Sequence, residues 1–167
     1  MDIGKVARPR VPAAAVLAGL ATLAPVLAGC GTSPPGPAVS TSVIPRLTAM
    51  AERAAKINGD ATPVQVSVVL TTRQKALTSA TPGDLVPGSA HARVYLITMS
   101  GHFIAREASV PPGAAAPTGR YLSMVVDART FQGLDFGVGP KPPPVSPASL
   151  GPVTYLHVSR SVPAQRG

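Results

Sequence analysis

A chain of 167 residues that is 45% hydrophobic, 13% charged and 4% aromatic suits one modest domain with appended segments and excludes a large multidomain enzyme. Its net charge of +8 comes from fifteen Lys and Arg against seven Asp and Glu. These charges form no block, and no aromatic side chains interleave with them as stacking platforms, which argues against a nucleic-acid partner. The single cysteine, Cys30, excludes an intrachain disulfide and a cysteine-based structural zinc site, so folding has to rest on packing.

Lys5, Arg8 and Arg10 precede a stretch, residues 11–29, that holds no charge. A membrane-spanning helix needs about 20 apolar residues. This run nearly reaches that length, but Pro12 and Pro25 interrupt it and small residues close it, the pattern of a cleaved secretory signal. It ends in Leu27-Ala28-Gly29-Cys30, which resembles the lipobox of bacterial lipoproteins. The resemblance implies a signal peptide over residues 1–29, cleavage between Gly29 and Cys30, and a diacylglyceryl group on the Cys30 thiol. Each buried CH2 contributes about 0.8 kcal/mol, so two or three acyl chains hold stably where one is marginal. The expected location is the outer face of the cell membrane, with the membrane itself as the first partner.

Residues 31–42, GTSPPGPAVSTS, with Cys30 ahead of them, read as a flexible spacer; extended at about 3.1 Å per residue they would reach roughly 37 Å. From residue 43 the pattern becomes helical: Val43, Leu47, Met50, Ala54 and Ile57 recur at steps of four and three, predicting a helix over 43–58 with that stripe in the core. Ser42 is placed to cap it, Pro45 is tolerated in the first turn, and Asn58-Gly59 supplies the stop.

Val64, Val66, Val68 and Leu70 alternate with polar residues, predicting a strand. Residues 78–90 read as a loop. Residues 92–99 and 102–106 read as a hairpin turned by Ser100-Gly101. Residues 110–119 form another loop, 121–128 a strand with Leu122, Met124 and Val126 on one face, and a turn at Gln132-Gly133 leads into 134–136. Residues 137–147 are a polyproline-like crossing, and 153–158 an edge strand. The expected fold is α+β: one domain over residues 43–159, with an N-terminal helix on one face of a curved antiparallel sheet of four to five strands, and a tail over 160–167. One helix leaves the other face open, and Tyr95, Ile97 and Ile104 are expected to make it partly apolar.

The segment Val125-Val126-Asp127-Ala128-Arg129-Thr130 followed by Gly133-Leu134-Asp135-Phe136-Gly137 resembles the closing hairpin of PepSY-type and cystatin-like domains. With the lipobox, the spacer and Gly151-Pro152-Val153-Thr154 near the end, the chain also resembles lipoproteins of high-GC Gram-positive bacteria. Phe131 departs from the PepSY pattern, in which glycine follows the threonine. The resemblance implies regulation or inhibition of a secreted peptidase as one function.

The search for chemistry finds no constellation. His91 and His102 are placed at opposite ends of a strand and His157 in another element, so no shared metal is expected. Ser100-Gly101-His102 sits in the predicted turn, no nucleophile elbow occurs, and no glycine loop opens a helix to cradle phosphate. The carboxylates Glu52, Asp60, Asp84, Glu107, Asp127 and Asp135 are dispersed, with Asp135 expected opposite Thr130 and facing away from Asp127. The expectation is a membrane-anchored, non-enzymatic binding or accessory domain with no cofactor and an envelope protein or cell-wall partner. A PepSY-like regulator and an envelope structural protein are the alternatives.

Overall fold

The computed structural model describes residues 36–80, 83, 88–106 and 108–158; the expected signal, Gly29, Cys30 and the 160–167 tail lie outside them. In chain order come a 3-10 turn (Thr41–Val43), α1 (Ile44–Ile57), β1 (Val64–Thr72), α2 (Arg73–Ala80), β2 (Arg93–Ile104), β3 (Thr118–Asp127), β4 (Gly133–Gly139), the short α3 (Pro147–Leu150) and β5 (Val153–Tyr155). The strands form one open antiparallel sheet in the order β4-β3-β2-β1-β5, and the fold is α+β. Val39 is 7% exposed within the core, so packing begins inside the stretch expected to be spacer.

Helix α1 starts with Pro45 in its first turn, where a missing N–H leaves no bond unmade. The expected Ser42 cap is not formed. Ser42 belongs to the 3-10 turn with its Oγ 2.9 Å from that of Ser40, and Val43 takes the cap position without a side-chain bond. The stop is the predicted one: the Asn58 backbone N–H and Nδ2 both donate to the Ala54 carbonyl, at 3.1 and 2.8 Å, and Gly59 turns at φ 89°. The fully buried stripe keeps Leu47 from the predicted one and continues through Ala51 and Ala55. Met50 and Ala54 lie beside it, half-buried, and Ile57 is 40% exposed. Leu47, Ala51 and Ala55 share the core with sheet residues, and the larger Met50 and Ile57 stand at the flank of that stripe.

The register aligns Val68, Ile97, Met124 and Phe136 across four strands, and this row shares a core with Leu47, Ala51 and Ala55 of α1. The adjacent row, Val69, Leu96 and Val125, points to the opposite face, as the two-residue period of a strand requires. That row packs with Ala76 and Leu77 of α2. The second face is therefore not open, and Tyr95 and Ile97 belong to the α1 side. Helix α2 overturns part of the expected 78–90 loop. Its first turn is held by Arg73 N–H to the Ala92 carbonyl at 2.8 Å and Gln74 N–H to the Ala90 carbonyl at 3.0 Å, which satisfies two of the donors a helix start leaves free.

Ser100-Gly101 does not turn the chain. Strand β2 runs through it with a one-residue register shift between Ser100 and Phe103, a bulge rather than a hairpin. Asp60 explains the glycine: its Oδ2 accepts the His102 N–H at 2.8 Å, and a Cβ on Gly101 would run into that carboxylate and come within 2.9 Å of the Phe103 ring. Strand β4 extends to Gly139, so the proline-rich crossing starts later than expected. It links β4 and β5, the two edges of the sheet, and is tied to α2 by Ser79 Oγ donating to the Val145 carbonyl at 2.8 Å. Beside it lies a polar row, Ser67, Thr98 and Ser123, with the Ser67 and Thr98 hydroxyls 2.8 Å apart and buried. Strand β5 ends at Tyr155, although Leu156 still donates to the Val66 carbonyl at 2.9 Å.

Candidate functional site

The flank of α1 and the edge strand β4 border an open groove of about 670 Å³, within the roughly 300–1,000 Å³ usual for small-molecule sites. Met50, Ala54 and Ile57 line it from α1, Leu122 and Met124 from β3, and Phe136 from β4. Arg46, Arg53 and Asp135 are the charged residues of the lining, and Asn58 also contributes. Asn58 is 5% exposed. Its Nδ2 donates to Ala54, but Oδ1 is buried with no hydrogen-bond partner, which costs about 1–3 kcal/mol for an unsatisfied polar atom.

Phe131 also lines the groove and stacks on Tyr95, ring centroids 5.9 Å apart, while the Arg46 guanidinium lies 4.0 Å above the Phe131 ring centre. Cation–π contact fixes Arg46 against a rigid base. Phe131 adopts φ 61°, a left-handed conformation that is uncommon for a bulky side chain. The hairpin imposes it. Asp127 N–H donates to the Gln132 carbonyl and its own carbonyl accepts the Phe131 N–H, both at 2.9 Å.

The same aspartate organises the turn through its side chain. Asp127 Oδ1 accepts the Thr130 N–H at 2.8 Å, the Arg129 N–H at 2.9 Å and the Thr130 hydroxyl at 3.0 Å. These bonds, the Thr130 backbone foremost, lower its pKa below the ordinary carboxylate value. A folded-state pKa below the unfolded one means that the ionised form favours the fold. The contribution is complete above about pH 3.9 and is lost as pH falls through the lowered folded value. Asp127→Asn keeps an acceptor but not the charge, so thermal melts of the variant below pH 4 are expected to show a shallower acid limb than the parent.

A second cleft, about 640 Å³, sits at the bulged ends of β1 and β2 and is lined by Asp60, Gln65, Ser100, His102, Arg120 and Tyr121 among others. Its composition suggests a nucleophile site, but the bonds point elsewhere: Asp60 binds the backbone N–H groups of Thr62 and His102, and Ser100 Oγ donates to the Val64 carbonyl at 3.0 Å. Both are structural. Gln65, at φ 52°, marks the β1 bulge.

His91, His102 and His157 are exposed on separate segments, and among the described residues no three His, Cys, Asp or Glu side chains converge. Asp84, Glu107, Gly29 and Cys30 lie outside the described residues. Asp135 stands opposite Val125, not Thr130, because the hairpin loop is longer than two residues. Asp127 lies two residues beyond Val125 along β3, so the register puts both aspartates on one side rather than on opposite ones; the Asp127 carboxylate is occupied by the turn all the same. The groove residues Arg46, Asn58 and Phe131 are legible in the chain only as a solvated charge, a helix stop and a departure from a hairpin pattern. Comparison with known protein families, curated proteins and solved structures finds no match for this chain.

Proposed function

We propose that the protein is a lipid-anchored extracytoplasmic lipoprotein whose α+β domain is a non-enzymatic binding module. In this reading the signal ends at Gly29, Cys30 becomes the acylated first residue, and α1 lies across one face of the sheet with its flank forming the binding groove. One observation carries the anchoring: three bases, a charge-free run and Leu27-Ala28-Gly29-Cys30 follow in the order that lipoprotein processing requires. The groove supports the binding role, since most of its lining side chains are apolar and Arg46, Arg53, Asn58 and Asp135 add a few polar groups.

Cys30→Ala tests the anchor. Cells fed a labelled fatty acid are expected to incorporate label into the parent chain and none into the variant, which accumulates as the longer precursor. Unchanged labelling of the variant, or parent protein recovered from the cytosol, overturns the reading.

A further inference from the structure

We infer that the groove between α1 and β4 binds an anionic monoacyl amphiphile that carries a hydrogen-bond donor beside its head group. The inference deepens the binding reading above and rests on it. Its first support is where α1 places its large side chains. Ala51 and Ala55 face the sheet, whereas Met50 and Ile57 stand over the groove, with Ile57 40% exposed. Apolar surface left in water at a concave site is stabilised by an apolar occupant. Met50 and Met124 supply unbranched, adaptable walls. From Arg46 to Ile57 the helix runs about 16 Å at 1.5 Å per residue, room for an acyl chain laid along it.

The polar groups assign the rest of the occupant. Arg46 and Arg53 outnumber the one carboxylate of the lining, Asp135, so the net field along the groove favours an anion. Arg53 lies five residues before Asn58, less than a turn and a half along the helix, so an anionic head at Arg53 and a donor at Asn58 belong to the same end of one ligand. Asn58 Oδ1 is buried without a partner, and an O–H or N–H of the occupant would satisfy it once the Asn58 amide turns toward the groove that the residue lines. At the other end Arg46 is laid on Phe131, closing the groove with a flat, weakly hydrated surface against which a hydrocarbon tail can pack. An extended peptide paired to the β4 edge is the rival occupant. Only one row of its N–H and C=O groups would pair with β4, and the other row would lie against Met50, Ala54 and Ile57 of α1, where burying it unpaired is costly.

The test uses the full chain in phosphatidylcholine nanodiscs with a photoactivatable N-palmitoylglycine, which has a carboxylate, an amide N–H and an acyl chain. Cross-links are expected at Met50, Met124 or Phe136. Unlabelled N-palmitoylglycine should compete at least about tenfold better than hexadecanol, as expected when a charged hydrogen bond is lost, with palmitate between them. Arg53→Gln should erase the advantage of palmitate over hexadecanol, and Asn58→Leu that of N-palmitoylglycine over palmitate. Ala54→Phe, which fills the groove, should abolish the adducts, with circular dichroism confirming the fold; Ile57→Trp at the rim gives a second blocking variant should Ala54→Phe not fold. Adducts outside the groove, adducts indifferent to both blocking variants, or displacement by a strand-forming peptide and not by the amphiphiles would each overturn the inference. The acyl group on Cys30 is read by mass spectrometry in the same sample. Acylated Cys30 without groove adducts sinks this inference alone, and a bare thiol with groove adducts sinks the anchor alone.

Discussion

Phe103→Ala is expected to destabilise the domain by about 3–5 kcal/mol, the usual cost of emptying a buried aromatic site. Phe103 is 1% exposed and sits in the core shared by α1 and the sheet. It arrives there because β2 passes through Ser100-Gly101 as a bulge and continues to Ile104. A chemical denaturation midpoint at unchanged slope measures the loss, which is a large share of the roughly 5–15 kcal/mol that holds a domain of this kind together. The same measurement separates two topologies. Had the chain turned at Ser100-Gly101, Phe103 would begin a separate short strand near the rim, and its truncation would cost under about 1 kcal/mol, as surface changes do.

That comparison shows where sequence patterning suffices and where it does not. Val66, Val68, Leu122, Met124 and Val126 were legible as one face because alternation in a half-buried strand is a strong local signal. The stop at Asn58-Gly59 was legible for the same reason: its chemistry is contained in four or five adjacent residues. The Ser100-Gly101 pair carries a genuine turn signal, and what overrides it is Asp60, forty residues earlier, whose carboxylate holds the His102 N–H and occupies the space beside Gly101. No local reading reaches that far. Helix α2 was hidden differently. Arg73–Ala80 is barely two turns long and its apolar residues against the sheet are Ala76, Leu77 and Ala80, two of them small enough to carry little hydrophobic signal, and its start is secured by the carbonyls of Ala90 and Ala92.

The groove was nearly legible. The stripe of Met50, Ala54 and Ile57 has helical spacing, and its assignment to the core followed from that period and its apolar side chains. Leu47 is common to both alternatives, and from it burial continues through Ala51 and Ala55 at steps of four, a choice the sequence period alone does not make. Arg46 and Phe131 are separated by about half of the chain, so their stack, and the left-handed backbone at Phe131 that sustains it, could not be read from either segment.

Gly119→Ala is expected to be disruptive although it adds one methyl group. Gly119 pairs with Phe103, and a Cβ built on it would press on the Gly139 backbone, 2.6 Å from its carbonyl carbon and 2.8 Å from its nitrogen. Backbone atoms cannot rotate away as a side chain can, so the β3 and β4 ends have to part. Overpacking of this kind costs about 1–3 kcal/mol. Gly133→Ala is the matched control at the other end of β4, where an added Cβ meets nothing within 4 Å and a change within about 0.5 kcal/mol is expected. Hydrogen exchange locates the damage: amides of Tyr121, Val138 and Gly139 should lose protection in Gly119→Ala while those of α1 and β1 keep theirs, since local opening follows the contacts that are lost. Equal destabilisation by the two glycine variants would instead mean that β3 and β4 are not in close backbone contact where Gly119 meets Gly139.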